Sequence, residues 1–243
     1  MKLRGIGFLV FGLGSLLVAS CFQPPEYAPI PTLEYDNIIF KDVSDPSLAD
    51  SLIVSVRFKD GDGDMGLSAD IAADNQKPYN NKYYFQFSNG TYITYKTKRT
   101  NPSYDTLPAF VTPYNCTNWE ITTLNNKTDT IYFQLNPNHN NIFVEYLIKN
   151  ADGTFKEFDW ATEFVYPNCG LSYDGRFPRL FKSPYVKTPM EGTIRYGMPS
   201  VGFLILFSIK TLKLRITIQD RALHKSNTIE TIEFTLQQIK KSG

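Results

Sequence analysis

The sequence predicts an all-β protein. Aromatic residues make up 14% of the chain, and Thr, Ile and Val recur in short alternating runs, which is the composition that β-strands favour. Asn, Asp, Gly and Pro separate these runs, as turns require. The order of early strands, a long central stretch and closely spaced closing strands predicts an immunoglobulin-like β-sandwich with a large central insertion, roughly residues 75–190. An eight-stranded barrel is the alternative.

Ten segments have the character of strands. In 51–58 the residues Leu52, Val54, Val56 and Phe58 alternate with polar neighbours, so we expect their side chains to share one buried face. Ser88-Asn89-Gly90 is typical of a hairpin turn between 82–87 and 92–96. The predicted strands are 33–40, 51–58, 82–87, 92–96, 129–135, 142–148, 192–196, 202–209, 212–218 and 228–236.

The N-terminus has the pattern of an export signal. Lys2 and Arg4 precede an apolar run over 6–20, which is shorter than the roughly 20 residues that a membrane-spanning helix needs. Val18-Ala19-Ser20-Cys21 then resembles the lipobox of bacterial lipoproteins. This resemblance implies a signal peptide over 1–20 and acylation of Cys21, followed by a Pro-rich tether over 21–33 and a domain over 34–243. It places the protein in the cell envelope, lipid-anchored at the outer membrane, with the face left open.

Charge argues against nucleic acid as a partner. Removal of 1–20, whose only charged residues are Lys2 and Arg4, changes the formal net charge from +1 to −1. Binding to phosphates requires clustered Lys and Arg, which a near-neutral chain does not indicate. The expected partner is instead the membrane, through the lipid, together with an envelope protein or a glycan.

Two cysteines remain once Cys21 carries the lipid. Cys116 and Cys169 form an even pair in an oxidising compartment, so a disulfide between them is expected. Two buried free thiols are the alternative.

The acidic loop after the second predicted strand carries the clearest chemical motif. Asp60, Asp62 and Asp64 alternate with glycines, a spacing that suits Ca²⁺, which binds six to eight oxygen ligands. An EF-hand is not matched, because Ile71 stands where a bidentate Glu is required, although Asp70 or Asp74 offers a substitute. In an immunoglobulin-type sandwich the loop containing Asp220 lies at the same end, so we expect it to converge on this loop. The alternative is a solvated turn.

Two stretches also resemble known proteins. The segment 58–67 (FKDGDGDMGL) and the segment 218–231 (IQDRALHKSNTIET), together with the lipobox, resemble uncharacterised lipoproteins of Bacteroidetes-type bacteria. The second segment is similar to closing strands of bacterial immunoglobulin-like and cadherin-like domains. The resemblance implies an envelope location, a β-sandwich and bound calcium.

No motif indicates catalysis. His139 and His224 lack metal-binding spacing, and neither a nucleophile elbow nor a phosphate-binding glycine loop is present. The sequence therefore favours a non-enzymatic interaction or structural module. Two alternatives stay open: a carbohydrate-binding accessory lipoprotein for glycan uptake, using Trp119 and Trp160 as a stacking platform, and a hydrolase with a fold-assembled carboxylate pair. Candidates for that pair are Glu145, Glu157 and Asp159.

Overall fold

The structure is a computed structural model that describes residues 25–43, 48–94, 96–97, 119–160, 172–180, 188–200 and 202–242. Cys21, Cys116 and Cys169 lie outside these residues, and so do the signal peptide, the lipidation site and the expected disulfide. Eleven strands, one short α-helix and a 3-10 turn are formed in the described part. They are β1 (Thr32–Asp42), β2 (Asp50–Asp60), a 3-10 turn (Ala72–Asn75), β3 (Lys82–Tyr84), β4 (Trp119–Leu124), β5 (Lys127–Leu135), β6 (Ile142–Lys149), β7 (Phe155–Glu157), β8 (Met190–Ser200), α1 (Phe203–Phe207), β9 (Leu212–Ile218), β10 (Ile229–Glu230) and β11 (Lys240–Ser242).

The strands form three sheets, which confirms the all-β prediction. The first core sheet has the order β11-β1-β2-β8, the second core sheet has the order β10-β9-β6-β7, and a small sheet has the order β3-β5-β4. Neighbouring strands are antiparallel except β11, which runs parallel to β1. The sheets that the structure describes all have open edges, so the barrel alternative does not fit them.

The two core sheets share one hydrophobic core. Leu52, Val54 and Val56 of β2 are fully buried, as their alternation predicted. In the second core sheet the inward residues of β9 are equally buried: Leu212, Leu214, Ile216 and Ile218. Because both sets belong to one contact cluster, the two sheets bury their apolar faces in the same interior.

An aromatic cluster fills one part of this core. Tyr146 on β6 is fully buried and packs against Trp160 with ring centroids 5.2 Å apart. Trp160 also meets Phe158, Tyr173 and Phe207. The Trp160 ring therefore packs against the core, and the stacking platform predicted for Trp160 is not formed. The side chain of Trp119 lies outside the described residues.

The strand predicted over 202–209 is wrong, since this segment forms the helix α1. Phe203 and Phe207 are four residues apart and both fully buried, whereas Ile205 and Ile209 are 84% and 90% exposed. A helix places residues i and i+4 on one face, but a strand would bury every second residue. The apolar composition of the run concealed its helical period.

The central region is not one insertion. Strand β6 lies within 75–190, yet it pairs with β9 along its length as part of the second core sheet. The residues outside the two core sheets are therefore inserted in two parts. One part lies before β6 and includes the small sheet, and the other lies between β7 and β8.

Three strand predictions are too long, and the one over 92–96 is reduced to isolated bridges at Tyr92 and Thr94. The hairpin turn at Ser88-Asn89-Gly90 is confirmed by the hydrogen bond from Phe87 N–H to Thr91 O, but the regular strand before it covers only Lys82–Tyr84. The strand predicted over 228–236 is reduced to β10, with one further bridge at Phe234. Directly after β10, the hydroxyl of Thr231 accepts the N–H of Leu214. This bond interrupts the regular hydrogen-bond ladder between β10 and β9.

The segment before β1, which is the expected tether, contacts the rest of the described chain. The N–H of Gly61 donates to the carbonyl of Ala28 over 2.9 Å, and the Tyr27 hydroxyl donates to Glu191 over 2.7 Å. A Cβ atom on Gly61 would lie 2.3 Å from the Tyr27 carbonyl oxygen, so glycine is needed for this approach. Among the described residues no helix is long and apolar enough to cross a membrane.

Candidate metal centre

Two strand ends bring four carboxylates together. Asp60 is the last residue of β2, and Asp62 and Asp64 follow in the next loop, while Asp220 comes two residues after the end of β9. Oxygen atoms from all four side chains lie within 4.8 Å of one another. We call this group the acidic cluster. It is the juxtaposition that the order of strands and loops predicted.

The cluster is enclosed by the fold. Asp60 is 0% exposed and Asp220 is 1% exposed, whereas Asp62 and Asp64 are partly buried. Asp70, the other predicted ligand, is exposed and does not belong to the cluster. It follows Asp64 by six residues and lies just before the short 3-10 turn.

Glycines allow the acidic loop to lie against other segments. Gly63 and Gly66 have φ angles of +66° and +102°, in the left-handed region that residues with a Cβ atom rarely adopt. A Cβ atom on Gly63 would lie 2.1 Å from the carbonyl oxygen of Thr188, and one on Gly66 would lie 2.2 Å from that of Pro178. The loop conformation is therefore fixed by close backbone contacts on two sides.

Asp60 is the most constrained member of the cluster. Its Oδ2 accepts the N–H of Asp64 over 3.1 Å, while its buried Oδ1 has no hydrogen-bond partner. Burial, together with the negative charges of Asp62, Asp64 and Asp220, raises the pKa of Asp60 to about 7. An ionised, unpaired carboxylate in this position is costly, because a buried charge needs a partner.

Asp220 is held by the loop that follows it. Its two carboxylate oxygens accept the backbone N–H of His224 over 2.7 Å and contact the imidazole Nδ1 over 2.9 Å. Burial raises the pKa of Asp220, and these hydrogen bonds oppose the rise. The bonds fix the direction of the carboxylate, as outer partners of a metal ligand commonly do.

The donor set suits a hard divalent cation. All four candidate ligand groups are carboxylates, which Ca²⁺ and Mg²⁺ prefer to the nitrogen and sulfur ligands typical of zinc. A cation among them would neutralise their repulsion and would give the free oxygen of Asp60 a partner. The backbone N–H of Arg221 points to Asp64 over 3.3 Å, so the two loops are also joined beside the cluster.

Asp74 has a different role from the one considered for it. It is fully buried, and Arg179 bonds it twice, at 2.8 Å and 2.5 Å, with Arg221 and the N–H of Ser68 adding further bonds. Burial opposes its ionisation, but these bonds outweigh that effect and hold the pKa of Asp74 at about 2. Asp74 is therefore neutralised by arginines and has no need of a metal. No local pattern indicated Arg179, which is 105 residues away along the chain.

The other predicted residues lie away from this centre. Glu145 on β6 pairs with Arg215 over 2.9 Å on the outer surface of the second core sheet, and Glu157 and Asp159 are exposed. His139 contacts the Tyr79 carbonyl and Arg176 in the loop before β6. Among the predicted site residues that the structure describes, only those of the acidic cluster are brought together in the geometry of a metal site.

Comparisons with known proteins found no relatives. No protein-family model, no curated protein and no solved structure matches this chain.

The raised pKa of Asp60 predicts a stability that falls with increasing pH when no metal is bound. The folded-state pKa of about 7 exceeds the ordinary value of 3.8, so the folded protein holds this proton more tightly than the unfolded chain does. The resulting stability is fully present below about pH 4 and is lost as pH rises through about 7. We expect the free energy of unfolding in chelator, measured by urea denaturation, to fall by about 2–3 kcal/mol between pH 5 and pH 8.

The matched control for this measurement is Asp60→Asn. Asparagine keeps the shape and the bond to Asp64 but cannot ionise, so its pH profile should be flatter by that amount. Identical profiles for the wild type and Asp60→Asn would contradict the buried, repelled state of this carboxyl.

Proposed function

We propose that this protein is a lipid-anchored envelope module of immunoglobulin-like fold, and that a calcium ion locks the end of the domain that meets its tether. The observation that carries the proposal is the buried oxygen of Asp60, which has no hydrogen-bond partner and lies among three further carboxylates. A divalent cation is the simplest partner for such a group.

The strand order supports the immunoglobulin-like assignment. In that fold one sheet contains strands A, B, E and D, and the other contains C, F and G, extended by C′ in some members. In this assignment β1, β2 and β8 correspond to A, B and E, and β7, β6, β9 and β10 correspond to C′, C, F and G. Among the described residues no strand corresponds to D, and β11 lies beside β1 instead. The acidic cluster then joins the loop after B to the loop between F and G.

The position of the cluster suggests what the cation does. Gly61 lies between two cluster residues, and its N–H donates to the carbonyl of Ala28 in the expected tether, seven residues after Cys21. A cation that orders the acidic loop would also order the backbone that receives the tether. Calcium would thereby fix how the domain is held relative to its lipid anchor, a structural role that requires no catalysis.

Calcium is favoured over magnesium by the form of the site. Ca²⁺ accepts six to eight oxygens in flexible geometry, whereas Mg²⁺ demands a near-ideal octahedron and keeps several waters. The four carboxylates come from two loops, and carbonyl oxygens of the loop and water can complete a larger shell. Extracellular calcium modules of this kind bind with dissociation constants of about 10⁻⁴–10⁻³ M.

Calcium should stabilise the folded protein. With calcium at about 100 times its dissociation constant, the expected gain is about 2.7 kcal/mol, which corresponds to a melting temperature higher by about 5–10 °C. The measurement is a thermal melt of the full chain in detergent, with calcium, with magnesium and with chelator, together with calorimetric titration.

Asp60→Asn separates this prediction from a general salt effect. The variant should lose the response to calcium and, at about pH 8, should be more stable than the wild type in chelator, because the buried charge is gone. Asp70→Asn removes an exposed acidic residue of the same segment and should respond to calcium like the wild type. Equal calcium responses in both variants would refute the assigned site.

The lipid anchor is tested separately. Cys21→Ser removes the acylated side chain, so we expect the protein to move from the membrane fraction to the soluble fraction of the envelope, because a domain without net positive charge has no other strong attraction to lipid. Cys169→Ser is the control and should stay with membranes. Retention of Cys21→Ser in membranes after a high-salt wash would rule out the anchor.

A further inference from the structure

A second candidate site lies beside the small sheet. A cavity of about 730 Å³ opens between the start of β3, the end of β5 and the outer face of the second core sheet, where Phe143 of β6 and Lys225 line it. Ligand sites typically have volumes of about 300–1,000 Å³. The cavity shares no residue with the acidic cluster.

Amide side chains are the largest group in the polar lining. Asn81, Gln134 and Asn140 line the cavity, and within the described part of the chain none of their side chains makes a hydrogen bond to the protein. Asn136 is different, because its amide is used by the fold: it donates to the carbonyls of Pro78 and Asn80 over 2.6 Å and 2.7 Å. Three amides therefore keep donors and acceptors for a ligand in the cavity.

The charges in the cavity are balanced. Lys225 lies 4.8 Å from the centroid of the Phe143 ring, and Asp174 accepts the N–H of Val144 over 2.8 Å. Lys82 is paired with Glu120 over 2.5 Å. A lining with one accessible cation and one carboxylate creates no field of a single sign, so it gives a charged ligand no strong advantage.

The wall of the cavity is fixed before any ligand binds. Arg176 donates to the carbonyls of His139 and Tyr79 over 2.6 Å and 2.7 Å, which holds the loop between β5 and β6. The amide of Asn141 exchanges two hydrogen bonds with the backbone of Phe177, at 2.9 Å and 3.1 Å. These bonds tie the segment that carries Asp174 to the start of β6, so the backbone of the cavity wall is positioned in advance.

We propose that this cavity binds a short, uncharged oligosaccharide. Hydroxyl groups both donate and accept hydrogen bonds, and so do amides, which makes unpaired amides suitable partners for sugars. Phe143 and Leu135 supply apolar surface for the C–H faces of the rings. An extended peptide would instead be expected at an exposed strand edge with free backbone groups, whereas this lining comes from strand ends and loops.

The proposal is tested by calorimetry and ligand-observed NMR on the full chain in detergent, with neutral glucose-, xylose-, mannose- and galactose-based oligosaccharides as probes. We expect at least one series to bind with a dissociation constant between about 1 μM and 1 mM. The double variant Asn81→Ala/Gln134→Ala should weaken that binding at least about tenfold, since two polar partners of the ligand are removed.

Gln237→Ala is the matched control. Gln237 is an exposed amide near the C-terminus and does not line the cavity, so this variant should bind like the wild type. Asn81 and Gln134 are also exposed, and unchanged melting temperatures will show that the double variant is folded. Absence of binding by every neutral probe up to about 10 mM, or equal binding in the double variant, would overturn the proposal. Binding confined to charged oligosaccharides or to peptides would overturn it too.

Discussion

Repulsion among four carboxylates is the constraint on which one end of this molecule depends. Asp60 and Asp220 are buried, and carboxylate oxygens of Asp62 and Asp64 lie within 4.8 Å of theirs. Hydrogen bonds from the backbone satisfy part of this charge, but one oxygen of Asp60 has none. Such a cluster requires either protons, which the raised pKa of Asp60 reflects, or a cation.

The other features of interest lie at the same end of the domain. The acidic loop binds Ala28 in the segment before β1, and the loop of Asp220 continues to Lys225 at the rim of the amide-lined cavity. Between them, Arg221 contacts both Asp64 and the buried Asp74. A cation at the cluster would therefore stiffen a connected set of loops, and the opposite end of the sheets, near α1, would be little affected.

The sequence predicted much of this arrangement, and its errors have physical causes. Alternation identified β2 and β9 because one face of each is buried, and the strand order brought Asp220 to the acidic loop. The helix α1 was missed because all of its residues are apolar. The sequence therefore shows no pattern of apolar and polar residues from which a helical period could be recognised. The partners of Asp74 and the amides of the cavity could not be predicted, since they come from loops whose positions are set by tertiary contacts rather than by local pattern.

The most direct test of the account is to locate the cation. Crystals of the protein grown with Mn²⁺ in place of Ca²⁺ would reveal bound metal through its anomalous scattering. We expect one strong peak within ligand distance of Asp60, Asp62, Asp64 and Asp220, about 2.1–2.6 Å from their oxygens. Crystals in which this position holds only water, or in which metal binds elsewhere while Asp60 stays without a partner, would contradict the central claim.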